Sequence, residues 1–277
     1  MNEIEKGEGI KRTHIKNPLM RESLMGKHLQ DQMSPVKELA LLPGASVVGV
    51  GGRSIMDRGR AAVMPLCEEI VKAKENFNMI LGVSGGTRMR HVFSIGMDLG
   101  LPTGGLAQIA GAVEEQNASL LQAVLSKDGG VQMCREHFPE MPKYIAAGIL
   151  PIIICMPPYH FWEEPADKGR IPMNGPDLGL YLTAEVLGVD RLIFVKDKKG
   201  LFTDDPDKNP KAEFIPEITA AEALKMDLPE YILERKVFEA LALARHVKEI
   251  QVIDGLVPSN LSAALAGEHV GTIIRSA

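Results

Sequence analysis

Three stretches of this 277-residue sequence place glycines beside charged side chains directly after a run of apolar residues. They are VVGVGGRSIMDRG (47–59), GVSGGTRMRH (82–91) and VKDKKGLFTDDPDKNP (195–210). Because glycine has no side chain, its backbone N–H group can approach an anion closely, and arginine or lysine adds positive charge. The three stretches therefore suggest a site for phosphate or another oxoanion.

Each stretch also has a simpler interpretation. Gly51 and Gly52, followed by Arg53 and Arg58, fit a phosphate turn, but they also fit a tight strand-to-helix turn with solvated arginines. The second stretch fits either an anion-binding helix start or a helix cap with exposed arginines; its candidates are Gly82, Gly85, Gly86, Thr87, Arg88, Arg90 and His91. The third stretch alone is a polar loop after a strand.

The elements that must position these stretches follow from the hydrophobic pattern. Short apolar runs predict strands at 46–50, 78–83, 149–156, 191–196, 249–254 and 271–275. Helical periodicity between them predicts helices at 61–74, 87–99, 106–126, 178–187 and 231–247. This alternation predicts a three-layer α/β/α fold with a mostly parallel central sheet. Ligands of such sheets bind at the carboxyl ends of the strands, here segments 49–53, 82–88, 156–162 and 196–206.

Composition narrows the class of protein. The formal charge of −5, with both signs scattered, argues against a nucleic-acid or membrane-surface binder. Three cysteines without a C-x-x-C pair predict buried thiols in a reducing cytosol. With no apolar run of about 18 residues and no signal-peptide pattern, we expect a cytoplasmic location. Residues 1–35 lack periodicity and predict an N-terminal arm, either disordered or laid on a neighbour, ahead of a single domain at 36–277.

The third stretch carries a resemblance to a known superfamily. A strand ending in Lys-x-x-x-Gly-Leu-Phe-Thr-x-Asp-Pro is similar to the nucleotide-binding segment of the amino-acid kinases, which include uridylate, aspartate and acetylglutamate kinases. Asp177 matches the aspartate that this superfamily places before a helix to orient phosphate-binding lysines. The resemblance implies an amino-acid kinase fold, ATP as ligand with Mg²⁺, and Asp177 as the catalytic organiser.

Five motifs in order resemble the subunits of the bacterial molybdenum storage proteins: 51–66, 86–108, MPPYHFW (156–162), 194–206 and 254–274. This resemblance implies a hexameric cage, homomeric or built with a related subunit, in which ATP drives storage of molybdate or tungstate as polynuclear oxide clusters. It also implies the nucleotide-contacting residues Gly51, Gly52, Gly82, Gly85, Gly86, Thr87, Lys196, Gly200, Phe202, Asp205 and Pro206, with Arg53 and Arg88 as nearby cations. His160 and His137 match histidines that contact the clusters; packing or a structural hydrogen bond explains such a histidine equally well.

Four residues depart from the family pattern. Gly49 stands where these proteins have a lysine, Ser84 replaces a loop glycine, Lys199 replaces an acidic residue, and Phe161 with Trp162 replaces a histidine cluster. The loss of the lysine removes a principal positive charge from the transferring phosphate, so we expect weakened ATP hydrolysis. Two alternatives stay open: an active small-molecule kinase that phosphorylates a uridylate or amino-acid substrate, and a non-catalytic partner in a mixed hexamer.

Overall fold

The computed structural model describes residues 3–7, 10–14, 39–157, 171–229 and 231–277. The chain divides into two compact units, Met1–Leu39 and Ala40–Ala277. In the first unit, strand β1 (Glu3–Gly7) pairs with strand β2 (Ile10–His14) in antiparallel register, with Glu3 opposite His14. The proposed boundary between arm and domain near residue 35 stays a prediction.

The second unit is built on an eight-stranded sheet. Its strands are β3 (Ala45–Val50), β4 (Asn78–Val83), β5 (Gly130–Gln132), β6 (Leu150–Ile154), β7 (Arg191–Lys196), β10 (Glu217–Thr219), β11 (Glu249–Asp254) and β12 (Thr272–Arg275). Their order across the sheet is β10-β12-β11-β7-β3-β4-β6-β5. Six of these strands are parallel, whereas β12 runs antiparallel to β11, and β10 pairs in parallel with β12. A small antiparallel pair, β8 (Leu201–Phe202) and β9 (Phe214–Ile215), lies outside the sheet.

Helices cover both faces of the sheet, which confirms the three-layer architecture. The α-helices of this unit are α1 (Arg60–Ala73), α2 (Gly86–Asp98), α3 (Thr103–Leu125), α4 (Met141–Ala146), α5 (Pro176–Leu187), α6 (Ala220–Met226), α7 (Arg235–Leu241) and α8 (Asn260–Ala266). Successive side chains of a strand point to opposite faces, so Val47 packs with α5 to α7 and Val48 with α1, α3 and α8. The parallel strands are therefore buried on both sides.

The predicted helix at 231–247 is wrong over most of its length. Only Arg235–Leu241 is helical, because the carboxylate of Glu185 accepts hydrogen bonds from the backbone N–H groups of Arg245, His246 and Val247 at 2.6–3.0 Å. Burial opposes ionisation of Glu185, but these donors lower its pKa. This carboxylate fixes the chain as it enters β11.

The structure can be compared with two expectations drawn from composition, on cysteine burial and on membrane-spanning segments. Cys67 and Cys155 are buried free thiols as predicted, whereas Cys134 is exposed. Among the described residues, no helix is long and apolar enough to cross a membrane.

Candidate functional site

A cleft of about 560 Å³ lies at the carboxyl ends of β3, β4 and β7. The structure brings parts of all three glycine-bearing stretches into its wall. The described residues that line it include Gly51, Gly52, Arg53, Ser84, Gly86, Arg90, Asp177, Lys196, Asp197, Lys198, Gly200, Phe202, Asp205, Pro206, Tyr231 and Glu234. A cavity of this size suits a small-molecule ligand such as a nucleotide.

Asp177 and Lys196 form an ion pair in the cleft wall. The Lys196 Nζ donates to both carboxylate oxygens of Asp177, at 2.8 and 3.1 Å, and the two side chains are only 14% and 15% exposed. Asp177 lies in the first turn of α5, and Lys196 ends β7. The pair fixes the ammonium group at the strand end, where it can bind an anionic ligand.

Glu234 lies beside this pair, and the sequence analysis missed it. Its Oε2 accepts a hydrogen bond from the Leu178 backbone N–H at 3.1 Å, so it caps the N-terminus of α5. Gly175 precedes that helix, and a Cβ there would collide with the Glu234 carboxylate. Burial, followed by the charge of Asp177, raises the pKa of Glu234. No local motif marks Glu234, because its partners are about 56 residues away.

The backbone N–H groups of the glycine turn after β3 already have hydrogen-bond acceptors within the protein. The Gly51 N–H donates to the Val195 carbonyl at 3.1 Å, and the Gly52 N–H donates to the Ser84 hydroxyl at 2.7 Å. A Cβ on Gly52 would collide with the backbone of Ser84 and Gly86, so the two glycine loops touch directly. Ser84, one of the departures from the family pattern, therefore uses an N–H group that a ligand would otherwise bind.

The N-terminus of α2 is also satisfied internally. The Thr87 N–H donates to Asp57 Oδ2 at 2.6 Å. Arg88 turns towards α3, where it donates to Asn117 and, at 3.4 Å, to Gln116. Neither Thr87 nor Arg88 is among the residues that line the cleft, whereas Arg90 is.

The third stretch forms part of the cleft wall. Phe202 and Phe214 pack with ring centroids 5.5 Å apart, and both Phe202 and Pro206 line the cleft. Lys199 places its ammonium 4.2 Å from the centre of the Phe214 ring. Asp205 pairs with Lys208 at 2.8 Å, and this hydrogen bond lowers the Asp205 pKa. An aromatic and proline surface of this kind suits a nucleobase.

Several candidates lie away from the cleft. Gly82 is internal to β4, where a Cβ would collide with Leu180, and a Cβ on Gly85 would lie 2.7 Å from Met89 Cβ. His137 packs edge-on against Tyr144 with centroids 6.4 Å apart. Their proposed ligand roles remain predictions, and His160 lies outside the described residues.

Gly49 is the departure with the clearest structural consequence. A Cβ there would lie 2.6 Å from Leu180 Cδ2 and 3.2 Å from Phe194 Cδ1. Leu180 is on α5, one turn after Asp177, and is 1% exposed. It therefore fills the space into which a lysine at position 49 would extend.

The donor set of the cleft fits a nucleotide better than a protein-bound metal. Among the described residues, no group of three or more His, Cys, Asp or Glu side chains could hold a metal ion. Mg²⁺ commonly binds through one or two carboxylates together with substrate phosphates, and the cleft lining offers carboxylates of this kind, among them Asp177 and Asp205. Lys196 and residues of the two glycine loops all line the cleft.

Comparison with known proteins agrees with this geometry. Residues 45–254 match the Amino acid kinase family. Molybdenum storage protein subunit beta from Azotobacter vinelandii is 44% identical over 92% of this chain and 95% of its own length. Uridylate kinase from Methanobrevibacter smithii is 27% identical over 83% of this chain and 98% of its own.

Solved structures share the fold at low sequence identity. The crystal structure of uridylate kinase from Archaeoglobus fulgidus superposes with a TM-score of 0.66, at 18% identity over 83% of this chain and 99% of its own. From the family match and the 44% identity, this chain belongs to the amino acid kinase family, in the group of the molybdenum storage protein subunits.

Proposed function

We propose that this chain is a storage-protein subunit that binds ATP in the cleft and helps to enclose molybdate or tungstate as polynuclear oxide clusters in a hexameric cage. The observation that carries the proposal is the 44% identity to a molybdenum storage protein subunit over nearly the whole chain. The cleft supports the nucleotide part, because it combines an aromatic wall with a fixed lysine.

The roles of individual residues follow from their positions. Lys196 binds the phosphate chain, and Asp177 holds its ammonium in place through two hydrogen bonds. Phe202 and Pro206 contact the base. Glu234 holds the first turn of α5 and so positions Asp177. ATP, when bound, supplies a transferable phosphoryl group.

We propose that this subunit hydrolyses ATP only weakly. Phosphoryl transfer needs several positioned cations around the developing charge. Arg58 is committed to Asp197 at 2.7 Å, and Arg88 is committed to α3. Leu180 fills the slot beside Gly49, so in the proposal the strand-end cation that binds the phosphates is Lys196, at the end of β7.

The test is to express the full chain with ATP, magnesium and molybdate or tungstate, and to measure bound metal by mass spectrometry. We expect several metal atoms per subunit, and fewer than about one under saturating conditions contradicts the proposal, since each protomer of a closed cage contributes sites. Lys196→Gln should reduce ATP-dependent loading at least about tenfold, in line with the loss of one charge-stabilising donor. The matched control is Lys211→Gln, an exposed lysine after the same segment.

A small-molecule kinase is the second candidate, favoured by the Asp177–Lys196 pair and by the uridylate kinase relatives. Phosphorylation of UMP or of an amino acid by the purified chain, with no metal stored, would establish it in place of storage.

A further inference from the structure

The chain leaves β6 through residues 155–157, the exit segment, and two side chains hold the backbone there. Glu114 Oε2 accepts hydrogen bonds from the N–H groups of Cys155 and Met156 at 2.9 and 2.6 Å. Arg135 Nη2 donates to the carbonyl oxygens of the last two residues of the segment, at 2.7 and 3.3 Å. The pairing of β6 with β4 ends one residue earlier. The two side chains therefore replace the sheet partners that the exit segment lacks.

Helix α5 also contacts the exit segment directly. A Cβ on Gly179 would collide with the Cys155 carbonyl oxygen and the Pro157 nitrogen, so this approach of the two backbones requires glycine. Cys155 is thus bound to Glu114 through its N–H and contacts α5 through its carbonyl. Asp177 lies two residues before Gly179 in the same helix. A shift of the exit segment therefore displaces the helical turn that carries Asp177.

Electrostatics agrees that the exit segment lies between Glu114 and the ion pair of the cleft. Burial raises the pKa of the Cys155 thiol well above its usual value, the charges of Glu114 and Asp177 raise it further, and the charge of Lys196 lowers it. Glu114 itself is fully buried, and the described residues that line the cleft do not include it. Any effect of Glu114 on a ligand must therefore pass through the exit segment.

We propose that Glu114 is a positioning residue for the Asp177–Lys196 pair. By fixing Cys155 it sets the place of α5, and so holds the Asp177 carboxylate where both of its oxygens accept from Lys196 Nζ, at 2.8 and 3.1 Å. The inference rests on the proposed nucleotide function and adds to it a residue outside the cleft. It requires that loss of the Glu114 acceptor weakens nucleotide binding by a protein that is still folded.

The test is calorimetric titration of a non-hydrolysable ATP analogue into the full chain and two variants, each shown to be folded by circular dichroism. Glu114→Leu removes the acceptor and should weaken binding at least about fivefold, because a binding group loses affinity when its support is displaced. Glu114→Gln keeps an oxygen for both N–H groups and should bind within about twofold of the wild type. Equal affinity of the wild type and Glu114→Leu overturns the proposal, as does an equal loss in the two variants.

Gln251→Leu is the matched control for loss of a buried hydrogen-bonding side chain. Gln251 is 6% exposed on β11, and its Nε2 donates to the carbonyl oxygens of Glu268 and Val270 at 2.9 and 2.8 Å. Its side chain points to the sheet face that α5 does not cover, because it alternates with Val252, which packs in the same cluster as α5. The control should lower the melting temperature and leave the affinity for the analogue unchanged. A loss of affinity equal to that of Glu114→Leu would mean general destabilisation and overturns the proposal.

Two further arms keep the outcome decisive. If Glu114→Leu does not fold, Arg135→Met releases the same segment from its half-buried second side chain, and unchanged affinity of that variant overturns the proposal. If the wild type binds no analogue, the nucleotide proposal fails by itself. Crystal structures of the wild type and the folded variant then still test Glu114, because unchanged distances between Asp177 and Lys196 overturn the positioning role.

Discussion

At the scale of single residues, the missing lysine at position 49 is a packing difference as well as a charge difference. A Cβ on Gly49 would lie 2.6 Å from Leu180 Cδ2, and a Cβ on the neighbouring strand's Gly82 would also collide with Leu180. The two glycines are directly paired between β3 and β4. One leucine therefore occupies the space above both positions, and restoring the lysine requires its removal.

We predict that Gly49→Lys alone destabilises the protein and does not raise ATP hydrolysis. Overpacking of a filled core costs about 1–3 kcal/mol. Gly49→Lys combined with Leu180→Ala frees the slot and should raise hydrolysis at least about tenfold, because a cation is added beside the transferring phosphate. Thermal unfolding and a phosphate-release assay check the two statements.

The matched control is Gly49→Met combined with Leu180→Ala, which fills the same space without a charge. It should recover stability without gaining hydrolysis. An equal gain with methionine would show that loosened packing, and not charge, is responsible. No gain in hydrolysis with lysine would mean that the missing lysine at position 49 is not the cause of weak ATP hydrolysis.

At the scale of elements, the strands were the most predictable part of the chain. The predicted strands at 78–83, 191–196 and 249–254 coincide with β4, β7 and β11, because a strand buried on both faces appears as a continuous apolar run. The rule that ligands gather at strand carboxyl ends also led to the cleft residues Gly51 and Lys196.

What the sequence did not reveal depends on partners that are distant along the chain. Helix α7 stops early because Glu185, about 60 residues away, binds the amides that follow it. Asp57 caps α2 from 30 residues away along the chain, and Glu234 caps α5 from 56 residues away. Local propensity contains no information on such tertiary caps, so these carboxylates read as ordinary surface charges.

The junction of α3 and β6 leads to a prediction about pH. Glu114 is fully buried; its Oε2 accepts from the Cys155 and Met156 N–H groups at 2.9 and 2.6 Å, and its Oε1 has no hydrogen-bond partner among the described residues. Burial raises the pKa of Glu114 from 4.5 to about 8, against the opposing influence of these donors and of Arg135. Between these two pH values, the native state therefore keeps a proton that the unfolded chain has already released.

Stability should consequently fall as pH rises through this window, since the unfolded state binds fewer protons than the native state. Glu114→Gln is isosteric with the protonated acid and lacks the titration. Relative to the wild type, we expect the variant to gain about 3 kcal/mol in free energy of unfolding between pH 5.5 and 8. Urea unfolding at both pH values measures the difference, in which Glu234 and other shared groups cancel. A difference that stays constant with pH would refute this assignment.

At the scale of the whole molecule, the site and the core belong to one unit. Every described residue that lines the cleft lies between Gly51 and Glu234, and the buried apolar clusters begin at Leu42. Unit Ala40–Ala277 therefore contains both the cleft and the hydrophobic core that supports it. The sequence leaves two interpretations of the residues before this unit: a disordered arm, or an arm laid on a neighbour.

We predict that a chain lacking residues 1–38 folds and binds an ATP analogue as the full chain does. Its melting temperature should change by less than about 3 °C, because a shift of that size already corresponds to roughly 1 kcal/mol in a domain of this length. Circular dichroism and calorimetry on both chains measure these quantities, and loss of cooperative unfolding or of nucleotide binding would contradict the prediction.

Light scattering on the same samples then separates the two interpretations of the arm. A smaller number of subunits per assembly for the truncated chain means that the arm is laid on a neighbour, because fold and ligand binding are controlled for. An unchanged number of subunits means that the 40–277 unit assembles through its own surface.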